Sequence, residues 1–128
     1  MIVVDTHVWI WWVTGARSLS RRQVASLRDA PEVGLSAISV WEVAKKAERQ
    51  KLDLDRPLDE WLDQALGHSK LRLIPLSPEI SLISTRLPEG FHSDPADQII
   101  VATALVLNAE LLTSDSRILA YPHVTTIR

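Results

Sequence analysis

Asp94-Pro95-Ala96-Asp97 sets two carboxylates three residues apart, directly ahead of the apolar run Gln98 to Leu107. In the first turn of a helix that spacing puts both acids on one face. Three more acids stand at comparable edges. Asp5 ends the apolar run Ile2-Val3-Val4, Glu42 opens a second helical pattern, and Asp115 ends Leu111-Leu112-Thr113-Ser114. Acids that close strands and open helices converge when those elements share a rim. Carboxylates about 4 Å apart at an effective dielectric of about 20 repel by roughly 4 kcal/mol. A converged set without basic partners therefore needs raised pKa values or a hard cation. Oxygen-only donors favour Mg²⁺ or Mn²⁺ over Zn²⁺, and partial coordination leaves positions for water and phosphate. Such a centre can activate water against a phosphodiester. With ordinary Asp and Glu pKa values of about 3.9 and 4.3, protonation near about pH 4 should abolish ion binding.

Each acid alone also has a structural reading. Asp94 suits an N-cap, Pro95 the first helical position, and Asp97 the third, and Ser39 with Glu42 forms the same S-x-x-E capping pattern. Asp5 could be a turn residue, and Asp115 could cap a segment from Ser116. Coincidence at one rim is what caps do not require. Thr6, Thr113, Ser114 and Ser116 could orient a carboxylate or water, or make local turn bonds. His7 and His92, each two residues from an acid, read as loop or surface histidines. Lys45, Lys46, Arg49 and Lys51 could meet phosphates or form a solvated helix face. The tryptophans 9, 11, 12, 41 and 61 read as core and partner-interface groups rather than a base-stacking platform.

The elements that must position these acids follow from periodicity. Ile2–Val4 is a short buried strand, and a Trp-rich helix runs from Val8 to Val13, broken at Gly15. Residues 20–30 form a surface helix with Val24 and Leu27 inward. Residues 33–37 are a second strand, and Ser39 starts a helix to about Arg49 with Val40, Val43, Ala44 and Ala47 on one stripe. Pro57 to Leu66 is helical, Leu71 to Leu76 a third strand, and Pro78 to Leu87 a short helix. The longest apolar helix runs from Asp94 or Ala96 to Asn108. Glu110 to Ser114 is a fourth strand and Val124 to Ile127 a fifth. Strands alternating with helices imply an α/β fold, a mostly parallel sheet of four to five strands covered on both faces. In such sheets the ligand site lies at the carboxyl ends of the strands.

Composition narrows the class. The chain has 128 residues, 46% hydrophobic and 23% charged, which suits one compact domain over residues 1–128. No Cys is present, so disulfides and thiolate metal sites are excluded, and a reducing cytoplasm is compatible. No secretory signal is expected, and no apolar run reaches the roughly 18 residues that cross a bilayer. The net charge of −2 is not the footprint of bulk nucleic-acid binding, so an RNA or DNA substrate must be held by local cations and a metal.

Four stretches in register resemble the PIN domain, most closely the VapC toxins of bacterial and archaeal toxin–antitoxin pairs. They are Val3-Val4-Asp5-Thr6-His7, then residues 36–43 from Ser36 to Val43, then residues 92–104 from His92 to Ala104, then Leu111-Leu112-Thr113-Ser114-Asp115. The resemblance implies a Rossmann-like three-layer α/β/α sandwich. It maps the family's acids onto Asp5, Glu42, Asp97 and Asp115, with Asp94 as the extra acid of a D-P-x-D subgroup. It implies a Mg²⁺-dependent endoribonuclease (Mn²⁺ substituting), blocked by a cognate antitoxin, cytoplasmic and homodimeric. Relatives often carry Arg where this chain has Gln98. Asp5, Asp94, Asp97 and Asp115 are then the expected metal ligands. Glu42 positions or deprotonates water, and cleavage leaves a 5′-phosphate. The rival is a metal-binding α/β signalling or binding module without nuclease activity. A receiver needs an acceptor Asp after a later strand, where this chain has Ile74-Pro75-Leu76-Ser77. A haloacid-type phosphatase needs a second Asp in Asp5-Thr6-His7.

Overall fold

Ile2-Val3-Val4 is apolar on both sides and forms β1 (Ile2–Val4), a fully buried strand in a computed structural model that describes residues 1–128. The chain then enters α1 (Thr6–Thr14) without a loop, because Asp5 ends the strand and also N-caps the helix. The helix thus begins earlier than Val8, since Thr6 and His7 carry no apolar signal. Gly15 ends it at a φ of 69°, the left-handed conformation that glycine adopts without a Cβ penalty. α2 (Arg21–Asp29) opens with a reciprocal capping box between Ser20 and Gln23. β2 (Val33–Ser36) leads directly into α3 (Ala37–Glu48), whose N-cap is Ser36.

α4 (Leu58–Ala65) and the edge strand β3 (Leu71–Ile74) follow. Then come α5 (Pro78–Ser84) and α6 (Pro95–Val106), each with Pro in its first turn. β4 (Glu110–Leu112), α7 (Ser116–Leu119) and β5 (Thr126–Ile127) complete the chain. All pairings are parallel, in the order β3-β2-β1-β4-β5. β1 is central, and the chain winds outward from it in both directions, the doubly-wound arrangement whose ligand crevice lies beside the first strand.

Alternation along β1 sorts the two faces. Ile2 and Val4 pack with Val8, Trp9, Leu27, Val43 and Trp61, from α1 to α4. Val3 points the other way, with Ile100, Val101, Ala104 and Leu111 under α6 and α7. This is a three-layer α/β/α sandwich. Trp9 is fully buried, meets Trp61 edge-on at 5.3 Å, and its indole N–H donates to the Ala65 carbonyl at 3.2 Å.

Two local expectations are corrected, and the capping role open to Asp115 is met. Val24 is 48% exposed, and it is Gln23 that turns inward, its amide nitrogen donating to the carbonyls of Thr113 at 3.2 Å and Ile127 at 3.3 Å. α3 starts at Ala37 rather than Ser39, so Ser39 and Glu42 are not a capping box. Ser116–Leu119 is a separate helical turn, capped by Asp115.

Candidate active site

Asp5, Glu42, Asp94, Asp97 and Asp115 line one cleft of about 200 Å³ at the carboxyl edge of the sheet. Asp5 is almost completely buried. Its Oδ1 accepts from the Thr6 N–H at 2.8 Å, and its Oδ2 accepts from the Thr113 hydroxyl at 2.7 Å. Thr113 Oγ1 in turn accepts from the Asp115 N–H at 3.0 Å, so one hydroxyl sets two acids. Asp115 Oδ1 accepts from the N–H groups of Arg117 and Ile118 at 2.9 and 3.1 Å.

Asp94 N-caps α6, accepting from the Asp97 N–H at 3.1 Å, with Pro95 in the first helical turn as the sequence predicts. Glu42 sits in the second turn of α3 and reaches back across the sheet end. The Thr6 hydroxyl donates to Glu42 Oε1 at 2.6 Å and lies 2.8 Å from Ser39 Oγ. Thr6 has one hydroxyl proton, so with that proton on Glu42 the Ser39 hydroxyl serves as the donor to Thr6. All five acids, drawn from four separated stretches, are thus brought together.

A profile of the PIN domain matches residues 2–124. The chain belongs to the PIN domain family. It is 33% identical over 122 residues to a protein named ribonuclease VapC22 of Mycobacterium tuberculosis, covering 95% of this chain and 92% of the relative. Among solved structures, FitAcB from Neisseria gonorrhoeae is 25% identical with a TM-score of 0.70, covering 100% of this chain and 97% of that one. VapBC2 from Rickettsia felis, bound to a DNA fragment from its promoter, shares the fold at a TM-score of 0.72 and 18% identity, over 99% and 98% of the two chains.

The electrostatics of this PIN domain are those of crowded acids. Burial, reinforced by Asp5, Asp94, Asp115 and Glu42, pushes the Asp97 carboxyl up to about 7. The Asp97 proton thus stays on well above the acid range expected from ordinary values. Burial also raises Glu42, against the opposing pull of the Thr6 hydrogen bond and Lys46. Burial pushes Asp115 upward too, but the Ile118 and Arg117 N–H bonds and the Arg117 charge outweigh it and leave the carboxyl below its ordinary value.

Sequence reasoning missed three residues here. Arg117, more than half exposed, lies 3.4 Å from Asp97 Oδ2 and 3.6 Å from Asp115 Oδ2, so the acids are not without a basic partner. Its position two residues after Asp115, on a helical turn, was the available signal. His7 and His92 both belong to the site instead of a remote surface. His7 Nε2 accepts from the Ser114 N–H at 3.0 Å, and its Nδ1 is 3.5 Å from Asp5 Oδ2. His92 Nδ1 accepts from the Asp94 N–H at 3.3 Å, which in the neutral ring leaves the proton on Nε2. That Nε2 is buried 3.1 Å from Asp97 Oδ2 yet makes no aligned hydrogen bond.

The donor set fits a divalent cation. Five carboxyl groups face Arg117 and Lys46 in the same cleft, a surplus of negative charge at short range. Atoms of His92, Asp97 and Asp115 lie within 4.8 Å of one another, and with the His92 ring proton on Nε2 the donors of this group are the two carboxylates. The receiver-type rival finds no support: β3 is an edge strand that runs into Pro75 and supplies no acid to the cleft.

Proposed function

We propose that this PIN domain is a metal-dependent endoribonuclease over residues 1–128, the toxin of a type II toxin–antitoxin pair. The observation that carries it is the single cleft holding Asp5, Glu42, Asp94, Asp97 and Asp115 in a chain 33% identical to ribonuclease VapC22. Asp5, Asp97 and Asp115, with Asp94 assisting, would hold Mg²⁺, with Mn²⁺ as a substitute. When bound, the ion supplies charge for the scissile phosphate and lowers the pKa of water.

Each side chain then has a defined task. Thr113 orients the Asp5 carboxylate and holds the Asp115 backbone, while the Arg117 and Ile118 N–H groups fix Asp115 Oδ1 and leave its Oδ2 free for the cleft. Glu42 keeps Oε1 on Thr6 and takes the proton of the attacking water at Oε2. Water attacks phosphorus in line, the bond to the 3′-oxygen breaks, and that oxygen takes a proton from solvent at the open cleft to leave as a 3′-hydroxyl, giving a 5′-phosphate on the other fragment, while Glu42 returns its proton to solvent. No neighbouring 2′-hydroxyl takes part. Arg117 and Lys46 neutralise the phosphate at the cleft mouth.

The partner reading rests on relatives solved as toxin–antitoxin complexes. A cognate antitoxin that covers the cleft, a homodimeric toxin and a cytoplasmic setting complete the proposal. No helix is long and apolar enough to cross a membrane. The deciding experiment incubates the purified chain with labelled RNA in Mg²⁺, in Mn²⁺ and in chelator. Metal-dependent 5′-phosphate products are expected, and intact RNA in all three would refute the assignment.

A further inference from the structure

The C-terminal end of α3 and the residues just past it carry four cations that make no ion pair: Lys45 and Lys46 in the last turn, Arg49 at the C-cap and Lys51 beyond it. With Trp41 and Glu42 they line a depression of about 180 Å³. Glu42 and Lys46 also line the acidic cleft, so the two depressions are neighbours that share a wall. Gln50 adopts a left-handed φ of 56°, and the Lys51 N–H donates to the Lys46 carbonyl at 2.9 Å, which folds Lys51 back onto the helix end. Trp41 is 51% exposed, with the Lys45 ammonium 4.5 Å from its ring centroid.

Cations at a helix C-terminus complement the macrodipole, which accounts for Lys45 and Lys46. It accounts neither for Lys51, beyond the helix, nor for a half-exposed indole between them. Water can carry such exposed and half-exposed cations singly, but clustered beside an acidic cleft they form a surface complementary to an anionic partner. A phosphodiester chain with exposed bases supplies both complements, phosphates for the cations and a flat base for the indole. The chain as a whole is net negative, so its affinity for such a polymer has to be local.

We propose that Trp41, Lys45, Arg49 and Lys51 form the entry track for single-stranded RNA, delivering a phosphate to the cleft with Trp41 stacked on a flanking base. Trp41 is thus assigned as a stacking platform, contrary to the expectation from sequence. The proposal rests on the ribonuclease reading above, and its test separates the two.

The test uses the full chain and a fluorescein-labelled single-stranded RNA. Anisotropy is read in chelator at several salt concentrations, and KM and kcat in Mn²⁺. Arg49→Glu with Lys51→Glu should reduce the slope of log affinity against log salt by about 1.4, at about 0.7 per phosphate. Trp41→Leu should weaken binding by about 5- to 150-fold and raise KM more than it lowers kcat, while Trp41→Phe recovers part of the loss. Arg28→Glu, beyond the opposite end of the sheet, should change neither. Wild-type cleavage with unaltered KM and salt slope in the track variants would overturn the track and leave the ribonuclease intact. An equal loss from Arg28→Glu would also overturn it, as would a Trp41→Leu effect on oligomeric state alone, by light scattering. Wild type that cleaves no RNA would overturn both.

Discussion

Thr113 Oγ1 donates to Asp5 Oδ2 at 2.7 Å, joining the end of β4 to the end of β1 across 108 positions of sequence. The same oxygen accepts from the Asp115 N–H, so the two acids share one fixed pivot.

Thr113→Val keeps the shape and removes the hydroxyl. Asp5 and the Asp115 N–H each lose a buried or half-buried partner, at a cost of about 1–3 kcal/mol by denaturant unfolding. Mn²⁺ affinity by calorimetry falls with it, because the Asp5 carboxylate loses the donor that orients it and the Asp115 backbone loses its anchor.

The pH dependence of the metal-free protein follows from Asp97. Its carboxyl stands at about 7 in the fold against an ordinary 3.8. Between these values the native state keeps a proton that the unfolded chain has released. Stability therefore falls as pH rises from about 4 to about 7 and levels off above that. Thermal melts in chelator should show this decline for wild type and a flatter profile for Asp97→Asn, with the variant more stable at about pH 8.

Added metal reverses that trend. Loading must displace the Asp97 proton, so Mn²⁺ affinity should rise about tenfold per pH unit below about pH 7 and plateau above it. Asp97→Asn should lose both cleavage and most Mn²⁺ affinity while retaining its circular dichroism spectrum.

His92 is the support behind Asp97. His92→Ala removes the ring that fills the space at Asp97 Oδ2, leaving the carboxylate free to rotate. The expected readout is about 10- to 100-fold weaker Mn²⁺ binding with little change in melting temperature.

Gln23→Leu tests a purely structural polar group. Its amide serves the carbonyls of Thr113 and Ile127 while its oxygen accepts from the Ser20 N–H at 3.2 Å. Leucine fills the volume and strands those groups, so unfolding free energy should drop by about 1–3 kcal/mol.

The sheet was legible because β1, β2 and β4 are apolar runs closed by polar residues, and parallel order follows from the helices between them. The acids at strand ends were legible for the same reason, since an acid after a buried strand has one edge to occupy. Gln23 was not, because helical spacing weighs side chains by hydropathy and cannot see a carbonyl pair waiting across the fold. Glu42 was legible as an acid opening a helix, though not its place on that helix. Its S-x-x-E spacing signals a cap, but the helix starts two residues earlier and the side chain points across the sheet to Thr6. Arg117 and His92 are close to acids in sequence, yet only the turn of α7 and the loop before α6 decide that they face inward.

The central position of β1 also sets a schedule for synthesis. Asp5 is made 108 positions before Thr113, the hydroxyl that orients it, and β1 is made before its neighbour strand β4. A nascent chain that has not reached Asp115 therefore has no complete cleft, however much of the sheet it has already formed.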